Sequence, residues 1–281
     1  MDNGRLLGMW DRWRRGATTL AVGAVEASAG SRPSVAPIAP EDLLSLFTET
    51  ARSVAATLAS LADWGLAGTR PGQHRSDLAA DEVATGALLE AGLGVCSEES
   101  GLQGEDRPVI VVLDPLDGST NAAQGIPWYA TSFCAVDDRG ALAALVVNLA
   151  TGERYSATRG GGAHRDGRPI RPSSVGSLSE ALIGLSGYPP RHLRWRQYRA
   201  FGAAALDLCA VADGRLDGFV DCHSHGPWDY LGALLVCREA GAQIVDAAGR
   251  ELTTTDAGAR RRLLAAATGS LLADLREACG G

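Results

Sequence analysis

Residues 109–121 read VIVVLDPLDGSTN. A run of apolar, mostly β-branched residues, suited to a buried strand, stops at Asp114 and Asp117. A glycine, two hydroxyl residues and an amide follow. Two more acidic groups stand apart from this one: Glu98-Glu99-Ser100, after a short apolar stretch, and Trp228-Asp229, opening an apolar helical pattern. Unpaired charge at the mouth of a buried strand is expensive. Carboxylates converging on one cleft repel unless they are protonated or share a cation. Oxygen donors with no matching His/Cys ligand set favour a hard ion, Mg²⁺, and Mn²⁺ fits the same donors. Gly118 and the backbone NH groups after it can cradle an anionic phosphoryl group. Pro115 restricts the turn and frees the Leu116 carbonyl as an extra ligand. A hydroxyl-capped Asx-turn explains the DPLDG segment equally well if it is taken alone; the three clusters together point to metal chemistry.

The elements that must position these groups follow from periodicity. Leu43, Leu44, Phe47, Ala51, Val54, Leu58 and Leu61 recur at steps of three and four, which predicts a helix over residues 41–63. Ser76 as an N-cap and Gly92 as a stop predict a second helix over residues 76–90. Strands are expected at residues 94–97 and 108–113, with DPLDGSTN as a loop. TSFCAVDD and ALAALVVNL flank Arg139-Gly140 as a hairpin, and ERYSATRGGGAHRDGRPI suggests two further strands. From ALIGL (residues 181–185) the texture becomes α/β: a polar RHLRWRQYR, a helix ending at Gly214, strand DGFVD, a helix over residues 227–240, strands QIVD and LLAAAT, and a last helix SLLADLREAC. The change of texture places a boundary near residue 172, between an α+β metal-binding half (41–172) and an α/β half (173–281).

The 281-residue chain is 46% hydrophobic and 21% charged, enough to bury a core without disulfide staples. With 33 acidic against 26 basic residues the net charge is −7, which speaks against a general nucleic-acid binder. Cys96, Cys134, Cys209, Cys222, Cys237 and Cys279 form no CxxC pair and read as reduced core thiols of a cytoplasmic protein. No apolar run is long enough to span a membrane. Arg14-Arg15 before a weakly apolar stretch imitates a twin-arginine export signal, but Glu26 interrupts it. Residues 1–40, ending in SRPSVAPIAP, are therefore expected to be a poorly ordered extension.

EES, DPLDGSTN and WDYLGALLVCREAGAQIVD, in this order, closely resemble the inositol monophosphatase family, which belongs with fructose-1,6-bisphosphatase to a superfamily of lithium-sensitive, Mg²⁺-dependent phosphatases. The resemblance covers residues 41–270. It implies a layered αβαβα sandwich, within the α+β or α/β class, and two or three Mg²⁺ ions. It also implies water-mediated hydrolysis of inositol monophosphate or a related small polyol or sugar phosphate. Carried over by position, Glu98, Asp114, the Leu116 carbonyl, Asp117 and Asp229 match metal ligands. Glu98, Ser119 and Asp117 match the catalytic group; Ser119 stands where many members have threonine and would help Glu98 activate water. Gly118, Ser119, Thr120 and Asp229 match the phosphate and substrate side. A further aspartate ligand opens the second helix in the family; Asp77 is favoured here over Asp81, and the usual V-T-x-x-D setting is missing. Homodimers are common in the family.

Rival readings fit fewer residues. An aspartyl-nucleophile phosphatase needs its aspartates two apart, not three. Cys222-His223-Ser224-His225 lacks the spacing of a zinc site. A non-catalytic phosphate- or metal-binding member of the same fold remains the alternative from another class. Substrate is less determined. At Cys222 well-known members carry a glutamate that contacts a ring hydroxyl, and a thiol cannot replace a bidentate carboxylate. Histidinol phosphate, a sugar phosphate and a 3′-phosphorylated nucleotide therefore stay open, and Asp221, His223 and His225 offer donors and acceptors nearby.

Overall fold

A computed structural model describes residues 38–280. The export-signal likeness and the expected extension up to residue 37 lie outside the described residues; of the extension's last three residues, Pro40 already begins the first helix.

The apolar stripe of residues 43–58 makes helix α1 (Pro40–Ser60), with Leu43, Phe47, Val54 and Leu58 buried. Helix α2 (Arg75–Glu90) starts one residue earlier than expected: His74, not Ser76, is the N-cap. The physical reason is a one-sided cap, in which the Asp77 carboxylate accepts the His74 backbone NH at 2.8 Å. Strands β1 (Gly94–Ser97) and β2 (Gly101–Gln103) follow. Strand β3 (Ile110–Asp117) corrects a second expectation, since DPLD is the end of a strand and not a loop. Its ladder continues because Asp114 pairs with Ser132 and Asp117 with Ala130, across a register shift. Helix α3 (Ser119–Gln124) then starts at once, capped by Gly118 at φ 83°. A Cβ there would also stand 3.1 Å from the backbone oxygens of Gly202 and Trp128.

The hairpin β4 (Ala130–Asp137) and β5 (Gly140–Asn148) forms as expected. The glycine-rich stretch after it holds three strands rather than two: β6 (Arg154–Thr158), β7 (Gly162–Arg165) and the short β8 (Arg168–Pro169). After β9 (Leu182–Ser186), part of the polar segment RHLRWRQYR, to which the sequence assigns no element, pairs in parallel with β9 as β10 (Gln197–Arg199). Helix α4 (Ala204–Ala212), strand β11 (Gly218–Asp221), helix α5 (Pro227–Ala240), strands β12 (Gln243–Asp246) and β13 (Leu263–Ala266), and helix α6 (Gly269–Ala278) complete the chain.

Among the described residues the strands form two sheets, ordered β2-β1-β3-β4-β5-β6-β7-β8 and β10-β9-β11-β13-β12. Helices α1 and α2 cover the outer face of the first, α4 and α5 lie between the two, and α6 covers the second. This is the αβαβα sandwich. The boundary drawn near residue 172 falls between β8 and β9, where the chain passes from one sheet to the other. Residues from 40 onward nevertheless form one unit, because one core cluster takes Val112, Cys134 and Val146 from the first sheet, Phe219 and Ala265 from the second, and the helices between. A second cluster lies under α6 and contains Val220, Leu264 and Leu275. All six cysteines are free, and among the described residues no helix is long and apolar enough to cross a membrane.

Candidate active site

Three elements deliver the carboxylates. Glu98 directly follows β1, and its NH bonds to the Leu113 carbonyl at 3.2 Å, so the β1–β3 ladder runs up to it. Asp114 and Asp117 sit on β3 with odd spacing. A regular pleat would point them to opposite faces. The register shift sets three steps on β3 against two on β4, and one extra residue of this kind re-aims the side chains after it. The same shift takes Pro115 and Leu116 out of the pairing register. Asp229 stands in the first turn of α5 and accepts the Gly226 NH at 2.7 Å.

One carboxylate oxygen from each of Glu98, Asp114 and Asp229 lies within 4.8 Å of the others. Asp117 stands beside this group, tied to the Ala205 NH at 2.8 Å. Burial, then the charges of Asp229, Glu99 and Asp117, raise the Glu98 pKa from 4.5 to about 8. Burial and the Asp229 charge raise Asp117 from 3.8 to about 7. Burial, then the charges of Glu98, Asp117 and Asp229, lift Asp114 well above the carboxylate range. Asp229 is raised by burial against the opposing charge of His225. Asp114 Oδ1 accepts the Leu116 NH at 2.9 Å, whereas its Oδ2 is buried without a partner, as is Asp77 Oδ1. Orphaned carboxylate oxygens inside a repelling cluster are what a divalent cation satisfies, so these residues fit the metal that the family resemblance implies.

The other expected residues take distinct places. Glu99 is spoken for by Arg70 and Gln73, which leaves Glu98 as the cluster's member of the EES group. Gly118, Ser119 and Thr120 open α3, whose first-turn NH groups have no intrahelical acceptor. The Ser119 hydroxyl favours the ionised form of Asp77, against a burial effect that raises its pKa. Asn121 pins this turn by donating to the Trp128 and Phe201 carbonyls at 2.8 and 2.7 Å. Asp81, the competitor of Asp77, accepts hydroxyl hydrogen bonds from Thr85 at 3.1 Å and from Ser97. Asp77→Ala is therefore expected to raise the cation concentration needed for activity. Asp81→Ala should instead cost about 1–3 kcal/mol of stability by stranding two buried hydroxyls. A cation titration and a thermal melt on each variant separate them, and the reverse ranking would show that Asp81 is the ligand.

Around residues 221–225 the expectation needs correction. Phe219 faces the middle layer and Val220 faces α6, so the alternation sends Asp221 inward and Cys222 toward the cluster under α6, against which it packs. Cys222 is thus not a recognition group. Nor is Asp221: its side chain is fully buried and accepts the His223 NH and His225 Nδ1, each at 2.8 Å. Exposed His223 lies over Gly187 (φ 76°), where a Cβ would come within 2.3 Å of its ring. His225 is tied to Asp221 and half-buried beside the cluster. Burial works to lower its pKa, but the Asp221 hydrogen bond and the acidic neighbours prevail and raise it to about 9.

The model of the inositol monophosphatase family matches residues 48–279. A fructose-1,6-bisphosphatase/inositol-1-monophosphatase of Archaeoglobus fulgidus is 38% identical over 185 residues, covering 62% of this chain and 71% of the relative. An inositol-1-monophosphatase of Mycolicibacterium smegmatis is 34% identical over 211 residues, covering 69% and 75%. Among solved structures, the extragenic suppressor protein suhB from Bartonella henselae superposes with a TM-score of 0.74 at 27% identity, covering 85% of this chain and 98% of that one. A hypothetical protein from Pyrococcus horikoshii with similarities for inositol-1 monophosphatase reaches 0.78 at 24%, covering 85% and 99%, and shares the fold. Sandwich, carboxylate cluster and family model agree over the same residues: the chain belongs to the inositol monophosphatase family of metal-dependent phosphoric monoester hydrolases.

Proposed function

We infer that the chain is a Mg²⁺-dependent phosphomonoesterase acting on inositol monophosphate or a related small polyol or sugar phosphate. The observation that carries this reading is the orphaned Oδ2 of Asp114 inside the Glu98–Asp114–Asp229 cluster. Glu98, Asp114, the Leu116 carbonyl, Asp117 and Asp229 would hold the cations, with Asp77 as the further ligand. Bound there, a divalent cation supplies Lewis-acid charge that neutralises phosphoryl oxygens and makes water more acidic. The chain's own residues do the rest. The NH groups at Gly118, Ser119 and Thr120 hold the phosphoryl oxygens. Glu98 and the Ser119 hydroxyl orient a water in line with the ester bond, and Glu98 accepts its proton as the new P–O bond forms and the ester P–O bond breaks, the departing alkoxide leaving as the alcohol with a proton taken from a second water. Burial of the cluster excludes bulk water, which strengthens these contacts. No side chain is required as a nucleophile.

The test is phosphate release from a panel containing inositol 1-phosphate, glycerol 2-phosphate, fructose 1,6-bisphosphate, histidinol phosphate, a 3′-phosphonucleotide and 4-nitrophenyl phosphate, with Mg²⁺, with Mn²⁺ and with EDTA. Release is expected with either cation and none with EDTA. Full activity in EDTA, or no release from any ester, would overturn the reading.

A further inference from the structure

With the phosphoryl group assigned to the turn at Gly118, the rest of the substrate lies against the neighbouring edge. That edge is formed by the carboxyl ends of the parallel strands β9 and β11, where ligands of α/β sheets collect. Cys222 and Asp221 do not serve this edge, as shown above. Ser186, at the end of β9, and His225 do.

The His225 imidazole is fixed by its Nδ1 and by its backbone. Its Nδ1 is 2.8 Å from the buried Asp221 carboxylate, which fixes Nδ1 as the protonated nitrogen facing inward. Its backbone is locked to Arg261 by reciprocal NH···O bonds of 2.8 and 3.0 Å. Its Nε2 lies 3.4 Å from the Ser186 hydroxyl, too long to saturate it. The side chain keeps 16% of its surface exposed, and four residues on the chain reaches Asp229. A ring this firmly positioned, with one under-used nitrogen, has the build of a recognition group.

We propose that His225, oriented by Asp221 and steadied by Ser186, hydrogen-bonds a hydroxyl of the leaving group beside the scissile ester oxygen and so selects polyol phosphates. His225 is the contact residue; Asp221 and Ser186 are positioning residues. The inference rests on the phosphatase reading.

The experiment compares inositol 1-phosphate or glycerol 2-phosphate with 4-nitrophenyl phosphate, which has no hydroxyl to offer. His225→Phe keeps the ring's bulk and removes its nitrogens. Its kcat/KM should fall roughly tenfold to a hundredfold on the polyol phosphates and by less than about threefold on 4-nitrophenyl phosphate. Ser186→Ala should move the ratio in the same direction by less, and His225→Gln should recover part of it. Cys222→Glu should not improve the ratio. An equal fall on both classes would show a merely structural histidine and overturn the proposal. Should His225→Phe fail to fold, the unsubstituted protein decides. The His225 Nε2 resonance should shift when free inositol binds and not with inorganic phosphate alone, and no shift overturns the proposal. Wild-type inactivity on inositol 1-phosphate, glycerol 2-phosphate and 4-nitrophenyl phosphate alike with Mg²⁺ would instead refute the phosphatase reading and the inference with it.

Discussion

Asp114→Asn is expected to give a protein that folds better and barely turns over. The side chain is 1% exposed, and its Oδ1 accepts a backbone NH that the asparagine oxygen can still accept. Its Oδ2 has no partner, so the new amide nitrogen displaces no existing hydrogen bond. What disappears is one buried acid from a cluster whose members raise one another's pKa values. In the absence of cations that loss relieves repulsion, and the melting temperature should rise. With Mg²⁺ present, kcat should drop by roughly a thousandfold, since an interaction that matters at the reacting phosphoryl group has gone. A calorimetric melt in EDTA and a kcat in saturating Mg²⁺ test the two halves together. Lower stability in EDTA would mean that the charge is structural, and unchanged kcat would remove Asp114 from the metal site.

The second large effect is a reversal of the pH dependence of stability by the cation. Glu98 moves from 4.5 to about 8 and Asp117 from 3.8 to about 7 on folding without metal. Between the ordinary and raised values the folded state binds more protons than the unfolded state, so unfolding becomes easier as pH rises. The contribution of these groups is fully present below about pH 4 and is lost as pH climbs through 7 and 8. His225, raised to about 9, contributes with the same sign. Asp246, lowered to about 2 by Arg250, acts oppositely but only in stronger acid. In EDTA, therefore, the melting temperature should fall from pH 5 to pH 8. In Mg²⁺ the fall should vanish or reverse, because the cation takes the place of protons and binds better to ionised carboxylates. Identical slopes with and without cation would contradict the shared-cation account of the cluster.

Much of this architecture could be read from periodicity. α1 shows its stripe because one face is in water, and α5 announces its ends through Pro227 and Gly241. The element β10 escaped because Gln197, Tyr198 and Arg199 are exposed on a sheet edge, where no apolar alternation is needed. The extension of β3 escaped because charge normally ends a strand. Only the bulge opposite β4, a tertiary feature, lets Asp114 and Asp117 continue it. The carboxylates themselves were legible, since acids at element ends are costly without a ligand. The Asp221–His225–Ser186 contacts were not. The DxxxH spacing carries no signal until the alternation of β11 shows which of Asp221 and Cys222 turns inward, and Ser186 lies 39 residues away in sequence.

The placement of the groups on two sheets has an evolutionary consequence. Glu98, Asp114 and Asp117 end strands of the first sheet, whereas Ser186, Asp221 and His225 belong to the edge of the second. On the proposed role of His225, drift in the second set would change the substrate range while the acids on the first sheet stay in place. Under the same proposal, a few substitutions in the two short turns that carry Ser186 and residues 221–225 would suffice to shift substrate choice with catalysis retained throughout.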